Sequence, residues 1–278
     1  MKGKARALLR LALLMVCAAG LVMTLRQQLH KSAGERVYAQ AQQLASGGQQ
    51  QRVSAVPEET VPAADAAAQE AQLVWMPEEI TDDEQLEALE TLDLQALQRI
   101  NPQVVGWIRI PGTMVDYPIV QGQDNDYYLD HSWEGTENVV GSIYMEYQNS
   151  PQMTDYNTLI YGHNMRDGSM FADIRKYMDP EFYAQRPYIY ILVEGGALRY
   201  EIFSSYCAEV GSAAYSLSLQ NRTGREEFLA LAMESSAIET GVEPGIRDRI
   251  LTLSTCSGFG YNNRWVVHAR LKLVETAL

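Results

Sequence analysis

The residues Ile250-Leu251-Thr252-Leu253-Ser254-Thr255-Cys256, followed after a seven-residue gap by Arg264-Trp265-Val266-Val267-His268-Ala269-Arg270-Leu271-Lys272, change character one residue at a time. Successive side chains of an extended chain point to opposite faces, so a period of two marks a strand. In the first run Thr252, Ser254 and Cys256 share one face, and Leu251, Leu253 and Thr255 share the other. In the second, Trp265, Val267, Ala269, Leu271 and Leu273 oppose Arg264, Val266, His268, Arg270 and Lys272. The two apolar faces suit the core of a barrel. An antiparallel hairpin would bring the end of the first run to the start of the second, with Arg264 opposite or beside Cys256.

Working outward, strand-like runs rich in Val, Ile and Tyr occupy 104–110, 114–120, 142–147, 157–161, 188–193 and 198–210, punctuated by Pro-Gly and Gly-Gly turns. Helical patterns interrupt them at 169–178, 181–186 and 226–238. Before them, Asp82 or Asp83 can cap a helix with Leu86, Leu89, Leu92, Leu94, Leu97 and Ile100 on its apolar face, ended by Asn101-Pro102. Eight short strands with few helices predict a mostly β (α+β) domain, a closed barrel rather than a doubly wound sheet. No internal repeat is present.

The 278 residues carry 22 basic and 35 acidic side chains. Residues 1–36 hold seven of the basic ones (Lys2, Lys4, Arg6, Arg10, Arg26, Lys31 and Arg36) against the single acid Glu35, leaving 15 basic and 34 acidic beyond them. A surface this acidic repels phosphate backbones, so nucleic acid is not an expected partner. Residues 11–25, LALLMVCAAGLVMTL, are uncharged, and the apolar run reaches back to Ala7 with only Arg10 in it. That approaches the length needed to span a bilayer. The basic residues before it predict a cytoplasmic N-terminus. No small-x-small site follows the run directly, which favours an uncleaved anchor over a cleaved signal peptide. The expected organisation is a cytoplasmic tip and transmembrane signal-anchor over 1–26, a Gln-, Ala- and Glu-rich stalk, partly helical or disordered, over 27–79, and an extracellular domain over 80–278.

Of the three cysteines, Cys17 lies in the apolar run, leaving Cys207 and Cys256, too few for a disulfide framework. No CxxC or clustered Cys/His spacing suggests zinc, and no metal or cofactor is expected. Cys256 sits at a strand end where Ser257-Gly258 opens a loop, a common place for a rigid scaffold to present chemistry. A nucleophilic thiol needs a proton partner, because the thiolate is its reactive form. His30 lies in the expected stalk and His268 falls mid-strand. Position ranks His163, which follows a strand and a glycine, first and His131 second. Taken alone, Arg264 reads first as an arginine at a solvated strand end.

Several separate motifs then agree in order and spacing. Thr252-Leu253-Ser254-Thr255-Cys256 with Arg264 eight residues on is similar to the sortase signature, Thr-Leu-x-Thr-Cys followed by an arginine. Tyr161-Gly162-His163-Asn164-Met165 resembles the sortase histidine segment. Asn101-Pro102, Val105-Gly106-Trp107-Ile108, Pro111-Gly112-Thr113, Asp116-Tyr117-Pro118, Gly168-Ser169-Met170-Phe171 and Val266-Val267-His268 resemble class B members over about residues 80–275. The resemblance implies an eight-stranded sortase-type barrel with an N-terminal helix near 83–100 and a helix near 225–238, in the connection before the cysteine strand. It implies a cysteine transpeptidase with His163, Cys256 and Arg264 as catalytic residues and Ser254 in contact with substrate. Loop 257–263 holds no acid, which disfavours an aspartate in place of Arg264. The implied partners are secreted proteins bearing a C-terminal sorting motif, cut after Thr, and an amine of a peptidoglycan precursor or pilin. A peptidase that resolves the same acyl-enzyme with water is the alternative, since both reactions use one thiolate.

Overall fold

The strands are Val104–Arg109 (β1), Asp116–Val120 (β2), Ile143–Met145 (β3), Asn157–Tyr161 (β4), Tyr188–Val193 (β5), Gly196–Glu209 (β6), Ile250–Cys256 (β7) and Asn263–Val274 (β8). This computed structural model describes residues 35–47, 83–258 and 262–274. The strands close into one barrel in the order β1-β2-β3-β4-β7-β8-β6-β5. Most neighbours are antiparallel; β2 with β3 and β4 with β7 run parallel. All eight expected strands are present, with ends shifted by a few residues.

Five short α-helices accompany the barrel: α1 (35–46), α2 (Glu84–Glu90), α3 (Leu94–Gln98), α4 (Pro180–Gln185) and α5 (Arg222–Glu234). The helix expected over 83–100 is two helices. The Asp83 side chain caps the first through Gln85 N at 3.0 Å, and Asp93 restarts the chain by accepting from Ala96 N at 3.0 Å. A second acidic cap inside one apolar pattern splits the helix without disturbing its buried face: Leu86, Leu89, Leu94 and Leu97 are all buried. The pattern over 169–178 resolves as a 3-10 run, Ala172–Met178. The helix before the cysteine strand starts at an Asn221 cap and ends at Glu234, short of 238.

Two cores sandwich the sheet around β7 and β8. Leu251, Leu253, Val267, Ala269 and Leu271 share one buried core cluster with Trp107 and Ile108. On the outer face, Ile250 and Val266 join Phe203, Tyr206, Phe228, Leu229 and Ala232 in a second cluster beneath α5. The face that reads as polar in the sequence is therefore also covered: Thr252, Ser254 and His268 are buried.

Within 27–79, residues 35–46 form α1, whose buried Tyr38, Ala41 and Ala45 make a stripe at helical spacing against the main core. Two of those three residues are alanine, and so the stripe is faint in the sequence.

The expectation of a single-pass membrane protein is not upheld. No helix among the described residues is long and apolar enough to cross a membrane. The run 11–25 that suggested it lies outside the described residues.

Candidate active site

The ends of β4 and β7 build the site. These strands pair in parallel, with Tyr161 opposite Ser254. Just past the paired ends, Gly162 N donates to Ser254 O at 3.2 Å, Thr255 Oγ1 donates to Gly162 O at 2.7 Å, and Asn164 Nδ2 donates to Cys256 O at 2.8 Å. His163 is thus fixed beside the strand that ends in Cys256. Gly162 is required there: a Cβ would lie 2.5 Å from Ile143 Cδ1 and 2.7 Å from the Phe171 ring. Across the other edge of β7, Cys256 and Arg264 are register partners in the antiparallel β7–β8 pair.

His163, Ser254, Cys256 and Arg264 line one cleft of about 470 Å³, walled by Leu129, Tyr144, Tyr161 and Tyr215 among others. Cys256 is an exposed free thiol, as is Cys207. The other described histidines lie elsewhere. His131 stacks on Tyr127 with ring centroids 4.0 Å apart, and its Nδ1 contacts Asp130 Oδ1 at 2.7 Å. His268 is wholly buried among Phe203, Tyr206 and Phe228, and burial pushes its pKa down to about 3, so it stays neutral. Its Nδ1 meets Thr252 Oγ1 at 2.9 Å, and that hydroxyl donates to Asn157 Oδ1 at 2.7 Å. A hydroxyl has one proton, so His268 Nδ1 must carry the other. His30 lies outside the described residues.

The His163 imidazole is oriented by a backbone carbonyl. Its Nε2 stands 2.6 Å from Leu129 O. A carbonyl can only accept, so Nε2 carries a proton in either charge state of the ring. Nδ1 is the nitrogen left to exchange a proton in the cleft. Ser254 Oγ pairs with Tyr215 OH at 2.9 Å, and the Tyr215 ring stacks near-parallel on Tyr161, 6.5 Å between centroids. Behind Tyr161, the buried Glu146 carboxylate accepts from Tyr161 OH at 3.0 Å and from Asn125 Nδ2 at 2.6 Å. Burial raises the Tyr144, Tyr161 and Tyr215 phenols, keeping them neutral donors at the cleft wall.

Leu129 and Tyr215 escape sequence reasoning because each sits in a connection without periodicity. Leu129 acts through its carbonyl, which leaves no mark in residue type. Tyr215 lies on a short 3-10 turn, Ala213–Tyr215, in the long connection before α5. Among the described residues, no group of three His, Cys, Asp or Glu side chains could hold a metal ion.

The model of the sortase domain matches residues 108–272. The chain belongs to the sortase family. Sortases are cysteine transpeptidases, and relatives of this sortase include sortase B of Listeria monocytogenes, 41% identical over 166 residues, and sortase B of Staphylococcus aureus, 32% identical over 162. Those alignments take in 59% and 58% of this chain and 67% and 66% of the two relatives, so the chain spans about two thirds of their length. Among solved structures, the S. aureus sortase B–substrate complex aligns with a TM-score of 0.62 at 31% identity, covering 66% of this chain and 85% of that one. A Clostridium perfringens sortase B aligns with a TM-score of 0.61 at 34% identity, covering 64% and 99%. The family and the closed eight-stranded barrel expected from the sequence are both borne out.

Proposed function

We propose that residues 80–278 form the catalytic domain of a class B-like transpeptidase in which Cys256 is the nucleophile, His163 the acid and base, and Arg264 the oxyanion donor. The observation that carries this reading is the cleft itself, lined by an exposed thiol, an imidazole with Nε2 committed to a carbonyl, and a guanidinium on the strand paired with the thiol.

Cys256 Sγ attacks the carbonyl carbon of the Thr in a C-terminal sorting motif, and the thiol proton passes to His163 Nδ1. The tetrahedral oxygen takes charge-assisted hydrogen bonds from Arg264. When the C–N bond breaks, Nδ1–H protonates the departing amine and a thioester remains on Cys256. An amine of a peptidoglycan precursor or a pilin then attacks the thioester, gives up a proton to Nδ1, and releases the thiol with a new amide bond. Ser254, buried in the cleft wall and paired with Tyr215, contacts the motif in this reading.

Labelled peptides with a Thr–Gly or Thr–Asn bond, incubated with and without triglycine, test the reading. The expected products are a mass adduct on Cys256 and a triglycine-dependent amide. Hydrolysis at the same rate with and without triglycine would support a peptidase instead, and unchanged turnover by Cys256→Ala would refute both.

A further inference from the structure

Helix α1 lies outside the residues that the family model matches, yet it touches the machinery that orients His163. The contact runs through the connection between β2 and β3. That segment reaches His163 at two points. The Leu129 carbonyl accepts from Nε2 at 2.6 Å. Gly141 packs its bare Cα against both groups: a Cβ there would fall 2.5 Å from Leu129 O and 2.9 Å from His163 Cδ2. With φ at 62°, Gly141 also sits in a backbone region that L side chains enter only at a cost.

This segment has little regular structure to hold it in place. One 3-10 turn, Tyr127–Leu129, is its longest repeat, and Leu129 itself is 40% exposed. Helix α1 braces it from the side away from the cleft. Trp133, fully buried, donates its Nε1–H to Val37 O at 3.1 Å. Tyr38 donates its hydroxyl proton to Gly141 O at 2.5 Å. Ser142 Oγ is 3.4 Å from the same hydroxyl and spends its own proton on His131 O at 2.8 Å. The Tyr38 ring is locked edge-on against Tyr117, centroids 5.2 Å apart, so its hydroxyl cannot wander. Gly141 is buried, and a buried carbonyl that loses its donor is left unsatisfied.

We propose that Tyr38 is a positioning residue for catalysis: by holding Gly141, it fixes the Leu129 carbonyl that keeps the proton of His163 on Nε2 and leaves Nδ1 facing the cleft. This rests on the reading of His163 as the acid and base. If the carbonyl drifts by about an ångström, the neutral ring exchanges between tautomers, and the fraction with Nδ1 ready to accept falls. Misplacement on that scale is known to cost up to about a hundred-fold in rate.

The test uses the full chain labelled with 15N-histidine and the variant Tyr38→Phe, which keeps the ring and its packing on Tyr117 and deletes only the hydroxyl. The two imidazole nitrogens of His163, assigned by their disappearance in His163→Ala, are expected to be widely separated in the wild type, as for a single tautomer. In Tyr38→Phe that separation narrows, and kcat for the peptide and triglycine reaction falls about ten-fold with KM unchanged. Wild-type separation of the nitrogens in Tyr38→Phe overturns the proposal, whatever the rate does. The His163→Ala protein keeps the two questions apart: if it turns over like the wild type, the catalytic reading of His163 fails, while the nitrogen separation in Tyr38→Phe still reports whether the brace exists.

Discussion

Cys256 and Arg264 face each other across the last rung of the β7–β8 ladder. The guanidinium therefore hangs from a strand whose register is fixed by six further pairs below it, from Ile250↔Arg270 up to Thr255↔Trp265. The backbone that carries the proposed oxyanion donor is thereby fixed before substrate arrives, and stabilising a developing oxyanion calls for such preorganisation.

Replacing Arg264 with lysine keeps the charge and loses the planar fork of donors. Turnover of the peptide and triglycine reaction is expected to drop by about a hundred- to a thousand-fold, mostly in kcat. Steady-state kinetics of Arg264→Lys beside Arg264→Ala check this. Near-wild-type kcat in the lysine variant would show that a point charge suffices.

Cys256 is exposed at the end of its strand and makes no disulfide. Cys256→Ala should abolish the adduct and turnover while changing the unfolding free energy by no more than about 0.5 kcal/mol, the usual range for an exposed position. Urea unfolding of both proteins measures it. A large loss of stability would mean that the thiol is part of the packing.

Gly141→Ala forces a Cβ to within 2.5 Å of Leu129 O at a residue with φ of 62°. Overpacking and the backbone conformation together should cost at least about 2 kcal/mol. Activity should fall further than the unfolded fraction explains, because the same Cβ presses on the His163 ring. Urea unfolding with activity per folded molecule separates the two effects; equal losses would leave Gly141 a purely structural residue.

His268 supplies a pH dependence of stability. Its pKa is pushed down to about 3 in the folded chain by burial, against 6.5 for the ordinary side chain. Between those values the unfolded chain binds a proton that the folded chain refuses. The stability contributed by neutral His268 is whole above pH 6.5 and drains as pH falls toward 3, at up to ~1.4 kcal/mol per unit. Urea unfolding at pH 7 and pH 5 should show this slope, and His268→Gln should lose one proton's share of it. An identical slope in the variant would assign the effect to other groups.

The barrel was largely legible because its strands announce themselves by alternation, and β7 and β8 do so over long runs. Cys256 with Arg264 followed from register alone as a neighbouring pair. What brought His163 to them, the parallel pairing of β4 with β7, leaves no local trace: strands that pair in parallel are joined by distant crossovers, so position ranked His163 only narrowly over His131 and the motif resemblance settled it. The split of the 83–100 helix was hidden because both halves bury leucines at one continuous spacing. Helix α1 was read as stalk because Ala41 and Ala45 bury little surface each and carry a weak apolar signal. The Leu129 carbonyl was beyond reach for a simpler reason, that every residue has one.

The parallel pairing of β4 with β7 has a consequence for how the protein comes into being. Tyr161 and Ser254, 93 positions apart in the chain, meet as register partners. A polypeptide leaving the ribosome presents the histidine segment long before the cysteine strand exists, and contacts between such distant segments form slowly. The imidazole of His163 and the guanidinium of Arg264 consequently reach the cleft of Cys256 only as the barrel shuts. With Cys256 as the proposed nucleophile, the capacity to capture an acyl group would itself be a certificate that folding is complete.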